Sequence, residues 1–216
     1  MLIAEAQWIG AALDSLPDEA FPLAHVGCQT EEFRTRTQPW VQEYVFTPLL
    51  RQGRAVVHVD IRDEPGVDLV ADVTTERGQQ LIHSRGARTL LCANLLEHVP
   101  DPKRVLDGLT AGVPEGGYLV LTGPLAFPYH PDPIDTMFRP TWQQMAELVG
   151  PEFSVLQGGE IRCRRLGYYY GLQRCGKLRL VARILLPFVK PAGWRERVRW
   201  SARHTSCYAL VLRRRE

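Results

Sequence analysis

The sequence predicts an α/β fold built on a parallel, doubly wound sheet, and three observations predict it. Short strand-like runs alternate with helix-length amphipathic stretches through residues 20–150, which is the pattern of β–α–β crossover units. The stretch Arg88–Val99, followed by the Gly116-Gly117 turn and Tyr118–Leu121, reads as one such unit. It supplies a buried strand, a polar tip, a helix, a glycine turn and a second buried strand. A third run, Ala55–Asp60, is largely apolar until it ends in a carboxylate. Ligands of open α/β sheets sit outside the carboxyl ends of the strands, so a polar side chain there stands where chemistry happens.

The elements follow in order. Leu2, Ile3, Ala6, Ile9, Ala12 and Leu16 recur at near-helical spacing until Pro17 stops the run, which predicts a helix on the flank of the domain. Strands are expected at Leu23–Gly27, Ala55–Asp60, Asp68–Ala71, Thr89–Ala93 and Tyr118–Thr122, with helices at Pro39–Arg51, Thr75–Ser84, Pro102–Gly112 and Thr141–Val149. Phe153–Gly158 and Ser206–Arg213 are spaced as a closing antiparallel pair. Between them, residues 159–205 form an insertion or lid that a minimal domain does not need. At 216 residues the chain is one domain with a sizeable core.

Charge is distributed unevenly. Residues 1–150 carry 11 Lys and Arg against 20 Asp and Glu, whereas residues 151–216 carry 15 against 4, and the net charge is only +2. A basic tail suits an anionic partner, or it neutralises the acidic part within the fold or across a homodimer. The five cysteines are widely spaced and contain no Cys-x-x-Cys pair, which argues against a disulfide framework or a zinc finger. Cys92 and Cys207 lie in apolar strands and read as small core residues. The absence of a secretory pattern and of an apolar span leads to a cytoplasmic expectation.

The run Leu90-Leu91-Cys92-Ala93-Asn94-Leu95-Leu96-Glu97-His98-Val99-Pro100-Asp101-Pro102, continuing to Gly116-Gly117-Tyr118-Leu119-Val120-Leu121-Thr122-Gly123-Pro124, resembles the middle motifs of the class I S-adenosylmethionine-dependent methyltransferases, of the type 11 kind. The resemblance implies a seven-stranded, mostly parallel Rossmann-like sheet over residues 20–158 and the last strand. It implies S-adenosylmethionine as cofactor and methyl transfer as the activity. By position, Asp60 would accept hydrogen bonds from the ribose with Ile61 beside it. Asp72 would meet the adenine amino group, with Val73 packed on the ring. Asn94 and Leu95 would face the sulfonium end, while Glu97 and His98 cap the next helix and hold the loop.

The first motif departs from the family pattern. Gly27 is present in the turn with Cys28, but Gln29 and Glu31 stand where the second and third glycines fall, so Gly27, Cys28 and Gln29 form a degenerate cofactor loop. The long gap to Asp60 predicts an insertion or rebuilt loop at Thr30–Thr47, with Arg34 or Arg36 offsetting Glu31.

Pro124–Thr141 is proline-rich and carries Tyr129, His130, Asp135 and Arg139. It resembles the substrate loop of a methyltransferase subgroup. His130 titrates near neutrality and would take a proton from an acceptor hydroxyl or amine, oriented by Asp135. The alternative is that both residues only tie the loop to itself.

The expected partner is a small-molecule acceptor. The basic, aromatic stretch 159–205 suits a lid, a dimer contact, or a peripheral membrane or glycan- or lipid-linked substrate contact. No motif supports nucleic acid and no metal site is expected. A rival reading is a methyltransferase-like binding protein that has lost cofactor affinity. A second, a dinucleotide oxidoreductase or epimerase, lacks both Gly-x-Gly-x-x-Gly and Tyr-x-x-x-Lys.

Overall fold

The computed structural model describes residues 1–130, 133–172 and 194–216. Seven strands form one sheet: β1 (Leu23–Val26), β2 (Val56–Asp60), β3 (Leu69–Val70), β4 (Thr89–Ala93), β5 (Tyr118–Ala126), β6 (Phe153–Arg165) and β7 (His204–Arg214). Their order is β3-β2-β1-β4-β5-β7-β6. The first five pair in parallel, and β7 runs antiparallel to both neighbours, β5 and β6. The sheet is therefore mixed, with β7 alone reversed. Its two last strands are also longer than expected: residues 159–165 of the predicted insertion extend β6, and β7 starts at His204. The rest of that basic stretch between 173 and 193, including Arg174, Cys175, Lys177, Arg179 and Arg183, lies outside the described residues.

Alternation along the central strands sends successive side chains to opposite faces. Leu90 and Cys92 of β4 join Val59, Leu119, Leu121 and Leu210 in one buried cluster. It is covered by Ile82 of α4 (Glu76–Ser84), Val105, Leu106 and Leu109 of α5 (Pro102–Gly112), and Met145 of α6 (Trp142–Val149). Leu91 and Ala93 point the other way, with Leu23, Val120 and Val211. That face is covered by Ala6, Ile9 and Leu13 of α1 (Ile3–Asp14) and by Val41, Val45, Phe46 and Leu49. Helices on both faces of a largely parallel sheet make the three-layer architecture that the strand–helix alternation predicts.

The region read as an insertion or rebuilt loop at Thr30–Thr47 is helical from Phe33, and over residues 39–51 it follows the helix expected at Pro39–Arg51. Phe33–Thr37 and Gln42–Phe46 are π-helical turns, flanking α2 (Pro39–Val41) and preceding α3 (Thr47–Arg51). Extra residues accommodated inside a helix widen its turns in this way. Beyond β6 lie α7 (Leu166–Leu172) and α8 (Trp194–Ala202). No helix among the described residues is long and apolar enough to cross a membrane. Cys28, Cys92, Cys163 and Cys207 are buried free thiols, so Cys92 and Cys207 are core residues as expected.

Because β1 leads to β2 on one side and the chain returns through β4 on the other, the direction of winding reverses between β1 and β4. The crevice above their carboxyl ends is where such sheets hold ligands.

Candidate active site

At the tip of β1 the chain turns sharply. Gly27 has φ +73° and donates its N–H to Val59 O at 2.9 Å. A Cβ at this position would sit 2.9 Å from Leu95 Cδ2, so both backbone and space require glycine. Cys28 is buried, and desolvation pushes its thiol up to about 11, with Arg34 opposing. Gln29 takes φ +58°, a left-handed conformation that a glycine would adopt without strain.

Asp60 ends β2 beside this turn. Its Oδ2 accepts the Gln29 N–H at 3.1 Å and its Oδ1 accepts the Arg62 N–H at 3.2 Å. Each carboxylate oxygen thus retains a free lone pair. Arg62 reaches across the rim, its Nε 3.6 Å from Asp60 Oδ1 and its Nη2 3.0 Å from Gln29 Oε1. Ile61 is 69% exposed, an apolar surface open beside the carboxylate. Arg34 does not offset Glu31 as expected. It is buried beneath the turn and donates to Cys28 O, Gln29 O and Gly66 O at 3.0, 2.7 and 2.8 Å. A buried guanidinium aimed at carbonyls takes over the shaping role that glycines would have had.

On the β3 side, Asp72 and Val73 stand in different surroundings. Asp72 is exposed, and its Oδ1 accepts from the Thr74 N–H and hydroxyl at 2.9 and 2.7 Å, closing a turn before α4. Val73 is only 5% exposed and belongs to the core cluster. Its side chain faces the helices, so the apolar surface on the rim comes from Ile61.

At the tip of β4, Asn94 is left-handed (φ +52°) and donates its side-chain amide to Glu5 Oε1 at 2.7 Å. Glu5, fully buried on α1, also accepts the Thr122 hydroxyl at 2.7 Å and the Leu2 N–H at 3.0 Å. The Asn94 side chain is thus drawn back toward α1. Leu95 packs against Gly27. Glu97 is buried with no hydrogen-bond partner for Oε1, and burial pushes its carboxyl up to about 7, opposed by a backbone hydrogen bond and His98.

The loop after β5 docks on this tip: Thr136 donates its N–H to Glu97 O at 2.9 Å, and His98 Nδ1 lies 2.6 Å from Ile134 O. Asp135 organises the loop. Its carboxylate accepts the N–H groups of His130 and Met137 at 2.9 and 2.8 Å and the Arg139 guanidinium at 2.7 Å. Burial raises its pKa, but these bonds outweigh burial and hold it below the usual range. His130 Nδ1 donates to Pro128 O at 3.1 Å and lies 3.0 Å from Asp135 Oδ2. Desolvation lowers the imidazole pKa, with the bond to Pro128 and the Asp135 carboxylate opposing. His130 and His98 meet edge to face, centroids 5.0 Å apart.

No family model matches the chain, and neither does any curated protein. Solved structures do. A methyltransferase from Anabaena variabilis is 13% identical, with all of this chain and 88% of that one covered, at a TM-score of 0.53. Coclaurine N-methyltransferase bound to N-methylheliamine and S-adenosylhomocysteine is also 13% identical, with 98% and 72% covered, at 0.54. The 1,6-didemethyltoxoflavin-N1-methyltransferase of Burkholderia thailandensis is 14% identical, with 99% and 78% covered, at 0.50. The fold is that of the class I methyltransferases.

Within this methyltransferase fold, the structure gathers Gly27, Gln29, Asp60, Ile61, Asn94 and Leu95 along the rim of β2, β1 and β4, with His98 and His130 on the β5 side. Sequence reasoning missed Glu5 and Arg62, and it gave Arg34 a different role. Glu5 carried one signal, an acid on the apolar face of a predicted helix between Leu2 and Ile9. Nothing in the sequence marked Arg62 apart from other surface arginines.

Proposed function

We propose that the chain is an S-adenosylmethionine-dependent methyltransferase acting on a small-molecule acceptor. The observation that carries this reading is the placement of the Gly27 turn, the Asp60 carboxylate and the Asn94–Leu95 tip around one crevice of a methyltransferase-fold sheet. The rim fits the cofactor's nucleoside in two respects. Asp60 has a lone pair free on each oxygen for a diol, and exposed Ile61 offers an apolar face to a flat ring. Gln29, Asp72 and the backbone of Asn94 would supply the remaining polar contacts. Arg62 must swing away from Asp60 for a ribose to reach it.

The cofactor, when bound, supplies an electrophilic methyl group on a positively charged sulfur. The chain's part is to hold an acceptor in line with it and keep water out. The Phe127–Arg139 loop stands at the β5 side of the crevice, where it would hold the acceptor. His130, with Nδ1 engaged at Pro128 and Asp135, leaves Nε2 to accept the acceptor's proton. A glycan- or lipid-linked acceptor would be held by the same loop.

A second reading is favoured by one observation, the Arg62 strap across Asp60 and Gln29. In it the chain is a methyltransferase-like binding protein with no cofactor. Calorimetric titration with S-adenosylhomocysteine separates the two. Saturable binding that weakens in Asp60→Ala supports the enzyme. No heat at millimolar ligand, with the protein folded, supports the binding protein.

A further inference from the structure

We propose that Glu97, His98 and His130 form a binding site for one divalent transition-metal ion at the tip of β4. One ligand atom from each of the three lies within 4.8 Å of the other two. The hydrogen bonds around them decide which atoms are free. His98 Nδ1 is 2.6 Å from Ile134 O, a carbonyl that can only accept, so Nδ1 carries the proton and Nε2 is a lone pair. His130 Nδ1 is committed in the same way to Pro128 O at 3.1 Å, with Asp135 Oδ2 at 3.0 Å. Both rings therefore present Nε2. Metal-binding histidines are held in this manner, the second nitrogen fixed by a carbonyl or carboxylate.

Glu97 completes the set. Its side chain is 1% exposed, and Oε1 has no hydrogen-bond partner although it lies 3.7 Å from His98 Nε2. Two acceptors thus face each other in a buried place with no donor between them. Such an arrangement is unfavourable unless a proton or a cation fills it. Two imidazoles and one carboxylate suit zinc, cobalt or iron(II), and three protein ligands leave positions open for another group. Ligand atoms around such an ion stand roughly 3.3 Å apart given bonds of about 2.1 Å. Closing from 4.8 Å asks for a shift of about an ångström and a half, which the partly exposed His130 loop can make.

The site goes beyond the methyl-transfer reading and does not depend on it. An ion there would withdraw His130 Nε2 from the proton transfer proposed above.

The test uses the full chain, stripped with a chelator and titrated with Co²⁺, and with Zn²⁺ in competition with a chromophoric chelator, in the absence of any cofactor. One equivalent is expected to bind, with a visible spectrum of nitrogen and oxygen ligation. His98→Gln, His130→Gln and Glu97→Gln should each weaken binding at least tenfold. Since Glu97 is buried, His130→Gln on the exposed loop keeps the test valid if the Glu97 variant misfolds. No stoichiometric binding, unchanged affinity in the two histidine variants, or a thiolate charge-transfer band each overturns the site. Titration with S-adenosylhomocysteine, run separately, reports on methyl transfer alone.

Discussion

Glu5 Oε1 accepts a 2.7 Å hydrogen bond from Asn94 Nδ2, across 89 positions of sequence. It joins the first helix to the strand tip that faces the cofactor crevice. The same carboxylate holds Thr122 on β5 and the Leu2 N–H, so one buried acid fixes the relative position of α1, β4 and β5.

Glu5→Ala would leave these donors unpaired in the core. A loss of roughly 3 kcal/mol is expected, given about 1–3 kcal/mol for an unsatisfied buried group and some relaxation. Urea unfolding of the variant checks it; an unchanged midpoint would show that Glu5 holds nothing in place.

Asp60 and Arg62 make opposed predictions. Asp60→Ala should weaken S-adenosylhomocysteine binding by tenfold or more, since two charge-assisted hydrogen bonds are lost. Arg62→Ala removes the strap over the carboxylate and should tighten binding about threefold, the order of an exposed ion pair. Calorimetry reads both, and a weaker Arg62 variant would mean that the arginine contacts the ligand.

Gly27→Ala combines a left-handed backbone with a contact to Leu95. The backbone alone costs about 1–2 kcal/mol. Lower thermal stability and weaker S-adenosylhomocysteine binding are expected together, because the turn and the β4 tip move as one. Full stability with Ala at 27 would contradict the left-handed turn.

Acid sensitivity should come from a pair under the same turn. His25 Nδ1 and His58 Nδ1 lie 3.2 Å apart, packed against Phe46. Burial lowers both, His25 well below its ordinary value and His58 to about 4. The unfolded chain then binds protons that the native state refuses, so stability falls as pH drops below 6.5 toward 4. Glu97, raised to about 7 by burial, works the other way above 4.5, but it is one group against three, since burial lowers His130 as well. Asp135, held low, adds its loss only below about 4. Urea midpoints at pH 7.5 and 5 should therefore differ in favour of pH 7.5. The slope should vanish or reverse in a His25→Leu, His58→Leu double variant. A wild-type midpoint that rises on acidification would refute the account.

Much of the fold was legible because it rests on local period and burial. β4 falls where the sequence puts it, β5 begins at Tyr118 after the Gly116-Gly117 turn as read but runs four residues past Thr122 to Ala126, and α5 runs from Pro102 to Gly112 as read. The helical stretch Pro39–Arg51 was legible, but the turn at Phe33–Thr37 before it was not, since a π-turn breaks the 3.6-residue repeat that marks a helix. The site was only half legible. Asp60 and Gly27 are visible because a strand ending in an acid and a glycine turn are local patterns. The burial of Val73 in the core cluster was not legible, because strand β3 is only two residues long and gives no alternation to show which way the next side chain points. Glu5 acts on Asn94 and Thr122 through contacts distant in sequence, and its place on an apolar helix face shows that it is buried without showing what it holds.

The reversed position of β7 has a consequence for how the chain is made. β6 leaves the ribosome about 40 residues before the strand that must slot between it and β5. Until then a thirteen-residue ribbon offers both of its edges to any other nascent chain, the situation that invites misassembly. The outward charges of Glu160, Arg162, Arg164 and Arg165 repel such pairing during the wait. Their replacement by neutral residues should lower the yield of soluble protein far more than it lowers the stability of molecules already folded.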